Sequence, residues 1–165
     1  MLVPAYDHEG FIEYALKAKF AYSDDLFYAT GARGCLNISV SSDDPNVFTW
    51  ASELEVPNED GGVDKICYGY LQYKIDYETR SICRISMMSF KKGTQEFLKD
   101  VYNKFLELYE NFNRIEFTCI KGNPAERHYD RLIKKFNGNK VELHKSIMDN
   151  NGKLHDEIIY EIVKQ

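Results

Sequence analysis

The stretch RIEFTCIKGNPAERHYDRLIKKFNG, residues 114–138, changes its hydrophobic period once, and that change decides the fold. Its first seven residues alternate: Arg114, Glu116 and Thr118 fall on one side, and Ile115, Phe117 and Cys119 on the other, as in a strand. Gly122, Asn123 and Pro124 break that pattern. Pro124 suits a first helical turn, where its missing N–H is an orphan donor in any case, and Asn123 is available as the cap. A helix then runs over 125–136 until Asn137 and Gly138 stop it.

Working outward, residues 94–112 place Leu98, Val101, Phe105, Leu108 and Phe112 at steps of three and four, the spacing of an amphipathic helix. Before it, KICYGYLQYKI (65–75) and RSICRISMMSF (80–90), joined by the polar DYET, predict an antiparallel hairpin. VFTWASELEV (47–56) reads as a further strand between two turn-rich loops, and residues 10–21 as an early helix with Asp7 as its cap. At the other end, VELHKSIM, DNNGK and LHDEIIYEIV predict a hairpin turning on Asn151-Gly152. A two-residue turn there pairs His155 with Met148 and leaves His144 about 13 Å away, too far for a shared metal. The DNNG string lacks the glutamate and spacing of a calcium loop, so no metal is expected. The element order is that of an α/β (α+β) chain with a mixed sheet flanked by helices.

The chain has 165 residues, enough for one domain, with 44% apolar and 14% aromatic residues to fill its core. Its 26 acidic residues against 21 basic ones, with no basic stripe, make duplex nucleic acid a poor partner. MLVPAYDHEG carries neither a basic n-region nor an apolar h-region, and no stretch approaches the ~18 apolar residues of a membrane span, so a cytoplasmic protein is expected. Cys35, Cys67, Cys83 and Cys119 form no CxxC pair and read as reduced thiols packed like small hydrophobes.

Residues 81–138, within the order strand, helix, strand, helix, resemble the acetyl-CoA-binding half of the GNAT N-acetyltransferases; the resemblance runs from about residue 65 to the C-terminus. It implies a mostly antiparallel, twisted sheet in one domain over 1–165, with 1–64 on the substrate side and 65–165 forming the cofactor core and C-terminal hairpin. Two matches carry it. In SMMSFKKGTQEFLKD (86–100), the resemblance assigns the cofactor pyrophosphate to Lys91, Lys92, Gly93, Thr94 and Gln95, and the pantetheine arm to the backbone of Met87, Met88 and Ser89. The family's glycine-rich pattern is degenerate here, with Phe90 at its first position and Gln95 at its last. In the segment 119–138, Asn-Pro-Ala opens a helix and Tyr129 follows Ala125 by four residues, on the same face.

By that resemblance, acetyl-CoA donates an acetyl group to an amine, small-molecule or peptide, and coenzyme A is the product. Tyr129 is then the candidate general acid, since a departing thiolate with a free pKa of about 8.5 benefits from protonation. Glu116 is a candidate general base with Glu53 and Glu55 behind it, and Asn123 either contacts the pantetheine amides or simply caps. His128, about 100° round the helix from Tyr129, reads as a surface histidine. The degenerate loop keeps a second reading open, a CoA-binding or protein-interaction module without turnover. A third is transfer of a longer acyl group, if there is room beside Met87 and Met88. A homodimer through the 141–163 hairpin is an arrangement the resemblance allows.

Overall fold

Alternation in the sequence carries directly into one seven-stranded sheet. The computed structural model describes residues 1–22, 40–90, 95–148 and 152–164. Strands β1 (Leu2–Pro4), β2 (Val47–Pro57), β3 (Val63–Asp76), β4 (Ser81–Ser89), β5 (Arg114–Ile120), β6 (Asn139–Met148) and β7 (Leu154–Val163) lie in the order β1-β2-β3-β4-β5-β7-β6. Every neighbouring pair is antiparallel except β4 and β5. Among the described residues there are three α-helices: α1 (Glu9–Tyr22), α2 (Gln95–Asn111) and α3 (Glu126–Lys135). Asp7, the expected cap of α1, instead lies inside a 3-10 turn, Ala5–His8, that runs straight into the helix, so no extended capping residue precedes it.

The two faces of the sheet carry separate cores. On one, Leu71, Tyr73 and Ile75 of β3 and Ile115, Phe117 and Cys119 of β5 pack with Phe105 and Leu108 of α2. Phe136, just past α3, meets Phe105 at 5.2 Å and Tyr109 at 4.7 Å between ring centroids, which joins the two helices. On the other face, Ile12 and Leu16 of α1 pack with Ala51, Cys67, Tyr70 and Met88. Cys67, Cys83 and Cys119 are free thiols; Cys35 lies outside the described residues. No described helix is long and apolar enough to cross a membrane.

The β6–β7 hairpin departs from the expected register by one residue: Ile147, not Met148, stands opposite His155, and Met148 pairs with Leu154. The connection therefore spans more than a two-residue turn; Asn151 itself lies outside the described residues. Further along, a bulge between Leu143 and Ile147, with Lys145 at φ 51°, shifts the pairing again, so the turn dipeptide alone does not set the register.

The feature that positions the site is the parallel pair. β4 and β5 are registered only at Ser81 with Arg114 and Ile82 with Ile115, and both strands then continue without pairing to each other. The cause lies in β4. Against β3 its register shifts just beyond Cys83, where Arg84 sits at φ 51° as the extra residue of a bulge. A bulge bends its strand and increases the local twist, which swings the rest of β4 away from β5. The opening falls between β4 and β5 beyond Ile82 and Ile115.

Candidate active site

Beyond Ile82 and Ile115, β4 and β5 share no ladder, so backbone groups on their facing edges remain free of each other. A cavity of about 300 Å³ occupies the mouth of this opening. β4 supplies Met87, Met88 and Ser89 to its wall, the turn after β5 supplies Asn123, and α3 supplies Tyr129. These five residues, singled out separately from two segments of the sequence, meet around one space.

Asn123 does cap. Its Oδ1 accepts the Ala125 N–H at 2.8 Å and its carbonyl accepts the Glu126 N–H at 2.9 Å, while Glu126 reaches back to accept the Gly122 N–H. Gly122 takes φ 90° in this turn, a value that favours glycine. The helix start is thereby fixed against the end of β5, four residues before Tyr129.

The Tyr129 ring is held by Phe117 of β5 at 5.0 Å and Tyr160 of β7 at 5.4 Å, both edge-on. Burial pushes its phenol well above the ordinary value of 10.0, and the nearby Cys119 adds to that shift. Among the described residues no group hydrogen-bonds this hydroxyl, whereas the Tyr160 hydroxyl donates to Asp130 Oδ1 at 3.4 Å. Cys119, raised by burial to about 11, is a thiol rather than a thiolate at neutral pH.

A second, larger cavity of about 520 Å³ lies between the sheet, α2 and α3, and its walls share Met87, Leu98, His128 and Tyr129 with the first. His128 is exposed, as the sequence reading has it, and also borders both cavities. Leu98, at the start of α2, is likewise a wall residue that periodicity alone places only on the helix face.

The remaining predicted residues are not among those lining the smaller cavity, or lie outside the described residues. Lys91, Lys92, Gly93 and Thr94 lie outside the described residues; Gln95 opens α2 and is exposed. Glu116 lines neither cavity: it lies on the face of β5 opposite Phe117 and bonds the Arg114 guanidinium at 2.7 Å, while Arg114 also pairs with Glu161 at 2.8 Å. Glu53 is held between His8 Nε2 at 2.9 Å and Lys65 Nζ at 3.1 Å. His144 stands 3.5 Å from both Glu142 and Asp156, carboxylates that Lys121 also approaches.

No family model matches the chain, and no curated protein matches it in sequence. Solved structures do. NAA60 of Arabidopsis thaliana, in complex with a bisubstrate analogue, superposes with a TM-score of 0.66 over 100% of this chain and 99% of its own, at 14% identity. A protein of Chromobacterium violaceum, named among probable acetyltransferases (GNAT family), gives 0.59 over 99% and 81%, at 13% identity. The fold is that of the GNAT acetyltransferases. A spermidine N-acetyltransferase chimera from Vibrio cholerae and human sequences gives 0.51 over 73% and 71%, at 16% identity. Across the neighbours the share of their own length that this chain covers runs from 64% to 99%. Of the two sequence matches, the second falls on the start of α3, and 91–94 of the first lie outside the described residues.

Proposed function

We propose that the chain is an N-acyltransferase that takes an acetyl group from acetyl-CoA and passes it to a primary amine of a small molecule or peptide. The observation that carries this reading is the convergence of Met87, Met88, Ser89, Asn123 and Tyr129 on the cavity at the β4–β5 opening. The residues fit the donor: two strand edges free of each other suit a chain of amides, and the cavity ends at a hydroxyl with no protein partner among the described residues. The names of the structural neighbours, acetyltransferases and a spermidine N-acetyltransferase among them, point the same way.

Bound acetyl-CoA supplies a thioester carbon for attack by the neutral amine. The backbone of Met87, Met88 and Ser89 holds and orients its pantetheine arm, with Lys91, Lys92, Gly93, Thr94 and Gln95 proposed for the pyrophosphate at the start of α2. Tyr129 keeps its proton through the physiological range, because burial disfavours the phenolate, and delivers it to the departing sulfur. Glu116, committed to Arg114, is the weaker of the proposed proton acceptors; water in the opening serves the same purpose.

Phe90 and Gln95, at positions where the family carries other residues, favour a second reading: a CoA-binding module without turnover. Calorimetric titration with acetyl-CoA followed by a turnover screen over polyamines and peptides decides. Binding with turnover supports the enzyme, binding alone supports the module, and absence of binding sinks both.

A further inference from the structure

The β6–β7 hairpin gathers three donor groups that neither cavity uses. Glu142 and His144, two residues apart on β6, point to the same side of the strand. Leu143 pairs with Glu157 and Ile147 with His155, which sets Asp156 of β7 opposite the bulged stretch 144–146. His144 Nδ1 lies 3.5 Å from Glu142 Oε1 and 3.5 Å from Asp156 Oδ2, and one ligand atom from each residue falls within 4.8 Å of the other two. The bulge also orients the aspartate. Its Oδ1 accepts the Lys145 N–H at 2.9 Å, so Oδ2 is the oxygen turned to the histidine, and its carbonyl accepts the Lys121 N–H at 3.0 Å. The sequence places His144 too far from His155 to share a metal; the fold supplies Asp156 instead of a second histidine.

Donors about 2.0–2.2 Å from a tetrahedral centre stand roughly 3.4 Å from one another, close to the two 3.5 Å spacings seen here. One imidazole with two carboxylates suits a zinc-class ion, and the imidazole distinguishes this set from an exposed acidic patch. A cation already sits in it. Lys121 Nζ bonds Glu142 Oε1 and stands 3.9 Å from Asp156 Oδ2, yet one ammonium leaves two carboxylates a negative charge in excess. The Lys121 side chain is 51% exposed, so its head group returns to solvent at little cost when a divalent ion takes its place.

We propose that Glu142, His144 and Asp156 bind a divalent transition-metal ion of the zinc class, completed by water, in exchange for the Lys121 ammonium. The ion joins β6 to β7 across the bulge, where their ladder is interrupted, and so braces the outer hairpin of the sheet. The site is independent of the acyl-transfer reading, since none of the three residues lines either cavity.

The test is calorimetric titration of the untagged chain with Zn²⁺, and separately with Mg²⁺ and Ca²⁺, with thermal unfolding read alongside. Zn²⁺ is expected to bind at least about tenfold more tightly than either hard cation. At about a hundredfold excess of free zinc over its Kd, Tm should rise by roughly 5–10 °C. His144→Ala and Asp156→Asn are each expected to weaken zinc binding at least about tenfold. Lys121→Met should tighten it at least about fivefold, because a competing charge is gone. That opposite sign separates this site from zinc held by histidines or cysteines elsewhere. Absence of zinc binding overturns the proposal, as does binding that the His144 and Asp156 variants leave unchanged. A Lys121→Met chain that binds zinc no more tightly than the parent overturns it as well. So does Mg²⁺ binding as tightly as Zn²⁺, since the imidazole then contributes nothing. Melting curves without metal show whether each variant keeps the fold, and if one does not, the other two decide.

Discussion

The rings of Phe117 and Tyr129 meet edge to face, 5.0 Å between centroids and 65° between planes, and this contact ties the hydroxyl on α3 to the strand that borders the opening. Removing the hydroxyl alone leaves that contact in place. Tyr129→Phe is therefore expected to lower the transfer rate by roughly 10²-fold, the scale of a lost proton donor, with the Kd for the CoA donor within about twofold. The sign of the pH effect follows from burial, which raises the phenol above 10.0. Tyr129 stays protonated below that value, so the rate profile should show no alkaline fall between about pH 8 and 10. An unchanged rate in the variant removes Tyr129 from the chemistry.

Asn123→Ala takes away the acceptor for the Ala125 N–H and thus the brace of the turn that leads into α3. About 1 kcal/mol of stability should go with it, a fall of roughly 2–4 °C in Tm for a domain of this size. Asn123→Asp preserves the acceptor and should restore most of that loss. If Asn123 also contacts the donor, both variants weaken CoA binding, whereas a pure cap gives weakening in the alanine variant alone. Paired thermal melts and titrations separate the two.

Much of this was legible in residue order. The bounds of β5 agree with the alternation over 114–120, and α2 lies within the 94–112 period, because both elements bury one face and expose the other. The opening was not readable in that way. It depends on a bulge at Arg84, and an arginine at positive φ leaves no mark in a sequence, so the opening could be inferred only from the family resemblance. Alternation likewise put Glu116 and Phe117 on opposite faces without saying which face borders the cavities.

Glu116→Gln tests the proposed base. The carboxylate is engaged by Arg114 at 2.7 Å on the face opposite Phe117, and a partly exposed pair of this kind contributes little. The transfer rate in the variant is expected to stay within about threefold of the parent. A loss of an order of magnitude with unchanged donor affinity assigns Glu116 the proton.

Glu53 links pH to stability. Its hydrogen bond from His8, helped by Lys65, holds the carboxyl below its ordinary 4.5. A carboxyl depressed in the folded state stabilises the fold above its unfolded pKa and loses that contribution as pH falls through the folded value. Urea midpoints of the parent should therefore drop as pH is taken from about 5 to 3. Glu53→Gln should be less stable at neutral pH and should show a shallower drop. Parallel curves for the two proteins discard the linkage.

Gly69 and Phe97 make the last test, because they join packing to the site. A Cβ on Gly69 would stand 2.6 and 2.7 Å from two atoms of the Phe97 ring and 3.0 Å from the Met88 carbonyl oxygen. Phe97 is buried at the start of α2, and it also walls the smaller cavity. Gly69→Ala should therefore cost about 1–3 kcal/mol, as overpacking does, and weaken CoA binding in the same variant. Phe97→Leu costs stability by itself but makes room for the new methyl. In the double variant the two losses should sum to less than their separate values by at least about 0.5 kcal/mol, the mark of neighbours in direct contact. Additive losses would show that the methyl is accommodated by the β3–β4 pair instead, leaving Phe97 and the cavity wall where they are.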